Sequence, residues 1–249
     1  MAQSCLNTYS IVGRCPDTGE VGAAVASAVP AVGAICLYLL PEVGAVSTQS
    51  WTNPYLATAL LDYLKTGLSA EDAMARILNN DSAAQLRQIG AVGMTGTPAA
   101  WTGAQCTSWC GQRLGSDYAA QGNMLTGREV IAAMGEAFET SSSESLDERL
   151  MRSLEAAQAA GGDKRGRQSA AIKVMNQEVY GRVDLRVDEH ADPIAELRRV
   201  LDVASHQLAP FISGMPKRDA EATAAPDDVV AMLMKSPPDR PGGGGATEP

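Results

Sequence analysis

The segment Gly161 to Ala171, GGDKRGRQSAA, gathers many side chains that could do chemistry into one short stretch. It places a carboxylate, three cations, an amide and a hydroxyl between an alanine-rich amphipathic run and a short apolar run. Arg165 is a candidate for binding a substrate carboxylate, because a guanidinium fork matches the geometry of a carboxylate. Gln168 is a second substrate-binding candidate. The alternative is a solvated turn that balances an acidic chain.

A second polar group is Gln121-Gly122-Asn123, at the end of a predicted strand. A glycine between two amides lets the backbone come close to a ligand. A backbone N–H together with a side-chain amide can hold a developing oxyanion. We therefore take Asn123 as a candidate catalytic residue and Gln121 as a substrate-binding candidate. A plain strand-end turn would explain the same residues.

A third polar group, Thr48-Gln49-Ser50, lies shortly before Asn53 and Pro54. Asn is a good helix N-cap and Pro a good first helical residue, so a helix is predicted to begin here. A helix N-terminus favours an anion. Capping alone explains Asn53, which leaves Gln49 and Ser50 as the substrate-binding candidates.

The chain has only two histidines, His190 and His206, and it lacks a G-x-S-x-G elbow, a Walker loop and an H-E-x-x-H motif. Catalysis would therefore use hydroxyls, amides and charges. One known solution is a Thr, Ser or Cys nucleophile whose own α-amine acts as the base. Cys106 and Cys110 lie four residues apart without a second pair, so free thiols are predicted rather than a zinc site. We expect no metal and no cofactor.

Composition restricts the partners and the location. The net charge of −9 disfavours nucleic acid as a partner. The uncharged run Val21–Pro41 is long enough for a membrane span, but its Ala, Gly and Val content and Pro30 favour buried strands. The N-terminus lacks the features of a signal peptide. Five unevenly spaced cysteines favour a reducing compartment, so a cytoplasmic protein without membrane contact is predicted.

Periodicity predicts an α+β protein. A β-hairpin opens it, with strands at Thr8–Val12 and Val21–Ser27, and two helix pairs alternate with further strands. This order suggests two sheets sandwiched between helical layers. The predicted division is an extension over residues 1–7, a domain over 8–213, and a tail over 214–249. The Pro and Gly content of the tail predicts disorder, apart from a short amphipathic turn at Val229–Met234.

Several blocks from Thr8 to Val203 together resemble a bacterial and archaeal family of uncharacterised proteins, the domain of unknown function numbered 1028 (DUF1028), grouped with the N-terminal nucleophile (Ntn) hydrolases. The blocks include TYSIVGRCPDTGEVGAAVAS, VGAVSTQSWTNPY, WTGAQC, AAQGNMLTG and EAAQAAGGDKRGRQSAA. This resemblance implies a four-layer αββα sandwich of Ntn-hydrolase type and hydrolysis of linear amide bonds.

The resemblance also implies the catalytic residues. Family members typically begin Met-Thr-Phe/Tyr-Ser, and Thr8 is the matching position. Here MAQSCLN precedes it, so Thr8 requires cleavage after Asn7, a downstream start or another mechanism; Ser4 and Cys5 are other potential nucleophiles. By analogy with proteasome-type Ntn enzymes, Asp163 and Ser169 would fix the nucleophile by hydrogen bonding.

Two hypotheses of different classes follow. The first is an amidohydrolase that cleaves a non-peptide amide, ureide or enamine-type C–N bond of a small, carboxylated molecule, in a catabolic setting. The second is a non-catalytic ligand-binding or scaffold protein on an Ntn-type fold. Alanine-rich helix faces such as Glu155–Ala160 permit close packing, so we expect a homodimer or a larger homo-oligomer.

Overall fold

The structure is a computed structural model that describes residues 8–221 and 224–234. Its strands form two antiparallel sheets, a six-stranded sheet in the order β10-β9-β2-β1-β8-β7 and a four-stranded sheet in the order β3-β4-β5-β6. The strands are β1 Thr8–Cys15, β2 Glu20–Ser27, β3 Leu37–Leu40, β4 Gly44–Ser50, β5 Arg87–Gly93, β6 Ala99–Thr102, β7 Gly111–Leu114, β8 Tyr118–Asn123, β9 Ser169–Met175 and β10 Val183–Val187.

Eight α-helices lie within the described residues. They are α1 Gly33–Cys36, α2 Pro54–Lys65, α3 Ala70–Asn79, α4 Glu129–Thr140, α5 Leu146–Ala159, α6 Pro193–Gln207, α7 Ala209–Gly214 and α8 Asp227–Leu233. The predicted cap at Asn53 is confirmed, because its side chain accepts from the Tyr55 N–H. Ser69 caps α3 in the same way, through the Asp72 N–H. None of these helices is both long and apolar enough to cross a bilayer.

The two sheets pack face to face. Alternation along β1 turns Val12 toward the four-stranded sheet, where it belongs to a buried apolar cluster with Ala23, Ala45, Val92 and Ala119. The opposite side of the four-stranded sheet packs on α2 and α3 through residues that include Val46, Leu60 and Ile77. On the larger sheet, α5 contacts β1, β2 and β9, and α4 contacts β7 and β8. The protein is therefore a mixed α+β structure in which helices cover the outer faces of paired antiparallel sheets.

The opening hairpin is confirmed, with β1 and β2 paired from Thr8 opposite Ser27 to Cys15 opposite Glu20. The uncharged run Val21–Pro41 contains β2, α1 and β3 rather than one long helix. The sequence did not predict α1, β3 or β7. Each is only four residues long, which is too short for a periodic pattern to mark it.

The contacts divide the chain into a compact unit that ends at Arg198 and a second unit that begins at Arg199. Within the second unit α7 contacts α8. Helix α8 lies within the predicted tail, at the position of the predicted amphipathic turn. Residues 1–7, 222–223 and 235–249 lie outside the described residues. The predicted boundaries at residues 8 and 213 stay predictions.

Candidate functional site

A row of four polar residues crosses one end of the larger sheet. The strand register places Asn123 opposite Thr8, Thr8 opposite Ser27, and Ser27 opposite Ser169. Directly opposed residues point to the same face, and this face is turned toward the four-stranded sheet. The Thr8 hydroxyl donates to Ser27 Oγ over 3.3 Å, and both side chains are buried. The row brings three predicted residues together and adds Ser27.

A buried hydrogen-bond network joins this row to the facing sheet. Ser10, two residues after Thr8, donates to Gln49 Oε1 over 2.6 Å and accepts from Ser47 and Gln121. Gln49 Nε2 donates to the Thr8 carbonyl over 3.0 Å. Both the oxygen and the nitrogen of the Gln49 side-chain amide therefore form hydrogen bonds to β1, and these bonds link β1 to β4.

Gln88 on β5 is the centre of the network. Its Oε1 accepts from Gln49 Nε2 at 2.8 Å and from Asn123 Nδ2 at 2.9 Å. Its Nε2 contacts the Gly122 carbonyl at 2.8 Å and Thr102 Oγ1 at 3.0 Å. Three predicted site residues, Gln49, Gln121 and Asn123, thus share one buried network with Thr8 and Gln88.

Asp163 and Ser169 form hydrogen bonds to the backbone of the loop that follows β2. The buried Asp163 carboxylate accepts from the Ala28 N–H over 3.3 Å and pairs with the Arg165 guanidinium at 2.9 Å. Ser169 Oγ donates to the Val29 carbonyl over 2.6 Å and accepts from the Val32 N–H. Ser169 is two strands from Thr8, about 10 Å between Cα atoms at ordinary strand spacing. Ser27 lies between them and makes the contact with Thr8.

The remaining predicted residues lie around this end of the sandwich. Arg165 is exposed, Gln168 is half-buried, and the Gln168 N–H donates to the Ser27 carbonyl over 2.9 Å. Lys164 Nζ donates to the Ser108 carbonyl over 2.8 Å and so ties this segment to the loop before β7. The segment Gly161 to Ala171 is therefore both a surface turn and the support of a buried polar site.

Ser50, at the end of β4, is buried, and its hydroxyl has no hydrogen-bond partner among the described residues. It also has a positive φ of 65°, as do Ala31 at 53° and Met124 at 52°. A non-glycine residue in this region is strained, and such strain collects at functional sites. Ala31 lies in the loop that Ser169 binds through Val29 and Val32, and Met124 follows Asn123. Three of the four positive-φ non-glycine residues in the described part of the chain thus adjoin site residues, and the fourth, Glu42, lies in the turn between β3 and β4.

Surface cavities are also lined by other residues. A cavity of about 420 Å³ lies beside Trp109 and Arg128, and one of about 390 Å³ lies between α3 and β6. A polar cavity of about 160 Å³ lies beside Lys173 and Arg186. Within the described residues, no group of three or more His, Cys, Asp or Glu side chains is placed to hold a metal ion.

Comparison with known families decides the relationship. The sequence profile described as "Family of unknown function (DUF1028)" matches residues 8–197. The chain belongs to this family. A crystal structure from DUF1028, protein SPO2555 from Silicibacter pomeroyi, is 30% identical, with a TM-score of 0.78 over 86% of this chain and 92% of that one. The resemblance read from the sequence is confirmed at the level of the family.

Two structures of Anbu, described as an ancestral beta-subunit, also align with this DUF1028 chain. Anbu from Yersinia bercovieri is 9% identical, with a TM-score of 0.37 over 85% of this chain and 100% of that one. An Anbu (Gly-1) mutant from Hyphomicrobium sp. strain MC1 is 13% identical, with a TM-score of 0.38 over 84% and 100%. These TM-scores are too low to carry an argument. No curated protein matches the chain.

Sequence reasoning missed the residues that complete the network, namely Ser10, Ser27, Ser47, Gln88 and Thr102. The alternation Thr8-x-Ser10 was a usable signal, because both side chains must lie on one face of β1. Ser27 and Gln88 had no such signal, since their roles depend on the pairing of distant strands.

Proposed function

We propose that this DUF1028 protein is an amidohydrolase that cleaves a non-peptide C–N bond, of amide, ureide or enamine type, in a small carboxylated molecule. The single observation that carries the proposal is the position of Thr8, the first residue of a central strand, between Ser27 and Asn123 at the polar end of the inter-sheet layer. The helix-covered pair of sheets supports assignment to the four-layer αββα sandwich of Ntn hydrolases.

The nucleophile would be Thr8, and its freed α-amine would be the base. Hydrolysis of the Asn7–Thr8 peptide bond must come first, because an amide nitrogen is not basic. With an amide or ureide substrate, the amine then takes the hydroxyl proton while Thr8 Oγ1 attacks the substrate carbonyl. The C–N bond breaks, and the leaving nitrogen carries that proton away. Water hydrolyses the resulting ester, which releases the acid and restores the hydroxyl. An enamine-type bond has no such carbonyl and would need a different first step.

The other site residues would have supporting roles. Ser27 holds the Thr8 hydroxyl, and Asn123 with neighbouring backbone N–H groups would stabilise the oxyanion. Asp163 and Ser169 hold the adjacent loop in place. Arg165 reaches solvent beside the site, which supports a role in binding the substrate carboxylate.

The first experiment tests maturation. Intact-mass spectrometry of purified, active protein should give the mass of a chain that begins at Thr8. Active protein that still begins at Met1 or Ala2 would refute the amine as base. A chain expressed to begin at Thr8 should hydrolyse members of a panel of small carboxylated amides and ureides.

The second experiment tests the nucleophile. Thr8→Val keeps the shape of the side chain and removes its hydroxyl, so hydrolysis should fall by several orders of magnitude. Thr58→Val makes the same change at an exposed position on α2 and should leave the rate unchanged. A Thr8→Val protein that keeps its activity would refute the role of Thr8.

A second candidate function is ligand binding without catalysis. It is favoured by one observation, the complete burial of the Thr8 side chain in the chain that retains residues 1–7. In that case Thr8→Val would retain a bound small molecule, and neither the full chain nor the chain beginning at Thr8 would hydrolyse any member of the panel.

A further inference from the structure

The orientation of the Gln88 side-chain amide is determined by its surroundings. Its Nε2 faces the backbone carbonyls of Gly122 at 2.8 Å and Gly111 at 3.2 Å. A carbonyl oxygen only accepts hydrogen bonds, so the group that faces these two oxygens must be the NH₂. The other polar atom of the Gln88 amide, Oε1, is therefore an acceptor, and it faces Gln49 and Asn123.

This orientation is transmitted to Asn123. The atom of Asn123 that lies 2.9 Å from Gln88 Oε1 must be a donor, so it is Nδ2. Rotating the Asn123 amide by half a turn would place two carbonyl oxygens at that distance, which is repulsive. Gln88 therefore turns the Asn123 carbonyl oxygen, Oδ1, away from the network.

Asn123 Oδ1 is buried and has no hydrogen-bond donor among the described residues. An unpaired buried acceptor is unfavourable by about 1–3 kcal/mol, so a donor that reached it would be bound. Asn123 lies directly opposite Thr8 and on the same face of the sheet. The residue that carries the unpaired oxygen is therefore the cross-strand neighbour of the proposed nucleophile.

We propose that Asn123 Oδ1 accepts the N–H of the bound ligand, and that Gln88 is the positioning residue that turns this oxygen toward it. The site then selects primary or secondary amides and ureides and discriminates against esters, which lack the N–H. This assignment rests on the proposed function for its substrate class, although its test measures binding rather than hydrolysis. It gives Asn123 Oδ1 a role in recognising the nitrogen side of the bond. The predicted role at the oxyanion would then fall to the second hydrogen of Nδ2, since the first is donated to Gln88.

The test compares two probes of nearly the same shape, N-methylacetamide and methyl acetate, which differ by an N–H in place of an ester oxygen. Binding to the full chain at neutral pH is followed by NMR. We expect N-methylacetamide to bind at least about fivefold more tightly, the contribution of one hydrogen bond. In Asn123→Leu this preference should disappear, whereas Asn79→Leu, the same change at an exposed residue on α3, should keep it.

A second measurement uses the unmodified protein and does not depend on a variant that folds. The ¹³C shift of the Asn123 side-chain carbonyl reports whether Oδ1 accepts a hydrogen bond. It should move downfield with N-methylacetamide and stay in place with methyl acetate. Gln88→Leu, which releases the Asn123 amide, should weaken the preference.

Equal binding of the two probes to the unmodified protein, or an N–H preference that persists in Asn123→Leu, would overturn the proposal. These outcomes are separate from the fate of the hydrolase hypothesis. A protein that prefers the amide probe but hydrolyses nothing would retain this inference and lose the proposed function. A protein that hydrolyses the panel but shows no preference for the amide probe would retain the proposed function and lose this inference.

Discussion

Replacing Gly90 with alanine would press a methyl group into the buried network. Gly90 lies on β5, and a Cβ atom built there would be 2.1 Å from Gln121 Oε1 and 2.6 Å from Gln121 Cδ. Gln121 is buried, and its Nε2 donates to Ser10 Oγ over 2.7 Å. The side chain must therefore move, and that movement breaks the bond to Ser10. Overpacking is unfavourable by about 1–3 kcal/mol and the lost hydrogen bond by about 1 kcal/mol, so we expect Gly90→Ala to lower the free energy of unfolding by about 2–4 kcal/mol.

Chemical denaturation followed by tryptophan fluorescence measures this change. The matched control is Gly93→Ala on the same strand, where the nearest atom to a built Cβ is 3.4 Å away, an ordinary contact. Adding Gln121→Ala to Gly90→Ala removes the obstructing side chain, so the double-mutant cycle should give a favourable coupling of about 2 kcal/mol. A Gly90→Ala protein within about 0.5 kcal/mol of Gly93→Ala would refute the packing described for Gln121.

Two further predictions concern pH. Burial raises the pKa of Asp147, but the hydrogen bond and positive charge of Arg182, together with hydrogen bonds from Ser145 and the backbone, outweigh it. The pKa of this carboxyl therefore lies below its ordinary value, and its stabilising effect is lost as pH falls through that low pKa. Arg182→Gln should therefore be less stable by about 1–3 kcal/mol at pH 7, and denaturation that shows the same difference at pH 3 would contradict this. Burial raises the pKa of the Cys36 thiol to about 12, so the folded state disfavours the thiolate and stability should fall as pH rises above the ordinary thiol pKa. Peptide mapping after iodoacetamide treatment at pH 8 should show Cys36 protected until the protein is denatured, and labelling of folded protein at this residue would contradict the prediction.

The sequence predicted the elements whose signals are local. Alternation and turn residues marked the opening hairpin, and the pair Asn53-Pro54 marked the start of α2. The strand β7, Gly111–Leu114, carries no alternating apolar pattern. It forms because β8 offers a pairing edge, with Gly111 opposite Gly122. Such an element depends on pairing with the neighbouring strand, which the pattern of its own four residues does not show.

The sequence predicted several residues of the candidate site, but not the hydrogen bonds and strand pairings that connect them. Thr8, Asn123 and Ser169 were selected separately, and the structure places them in one row across four strands. Ser27, which links two of them, has an unremarkable sequence context. Gln88 was missed because its importance comes from the carbonyl groups around it, which only the folded sheets bring together. The catalytic and binding roles of all these residues stay predictions.

The place of β1 within its sheet has a consequence for any chain that starts at Thr8. A newly made chain end is ordinarily the part of a protein most prone to fray. Here the first residue would have a neighbouring strand on each side, β2 at Ser27 and β8 at Asn123. Removal of the leader would therefore place the new amine on a residue that both neighbouring strands position.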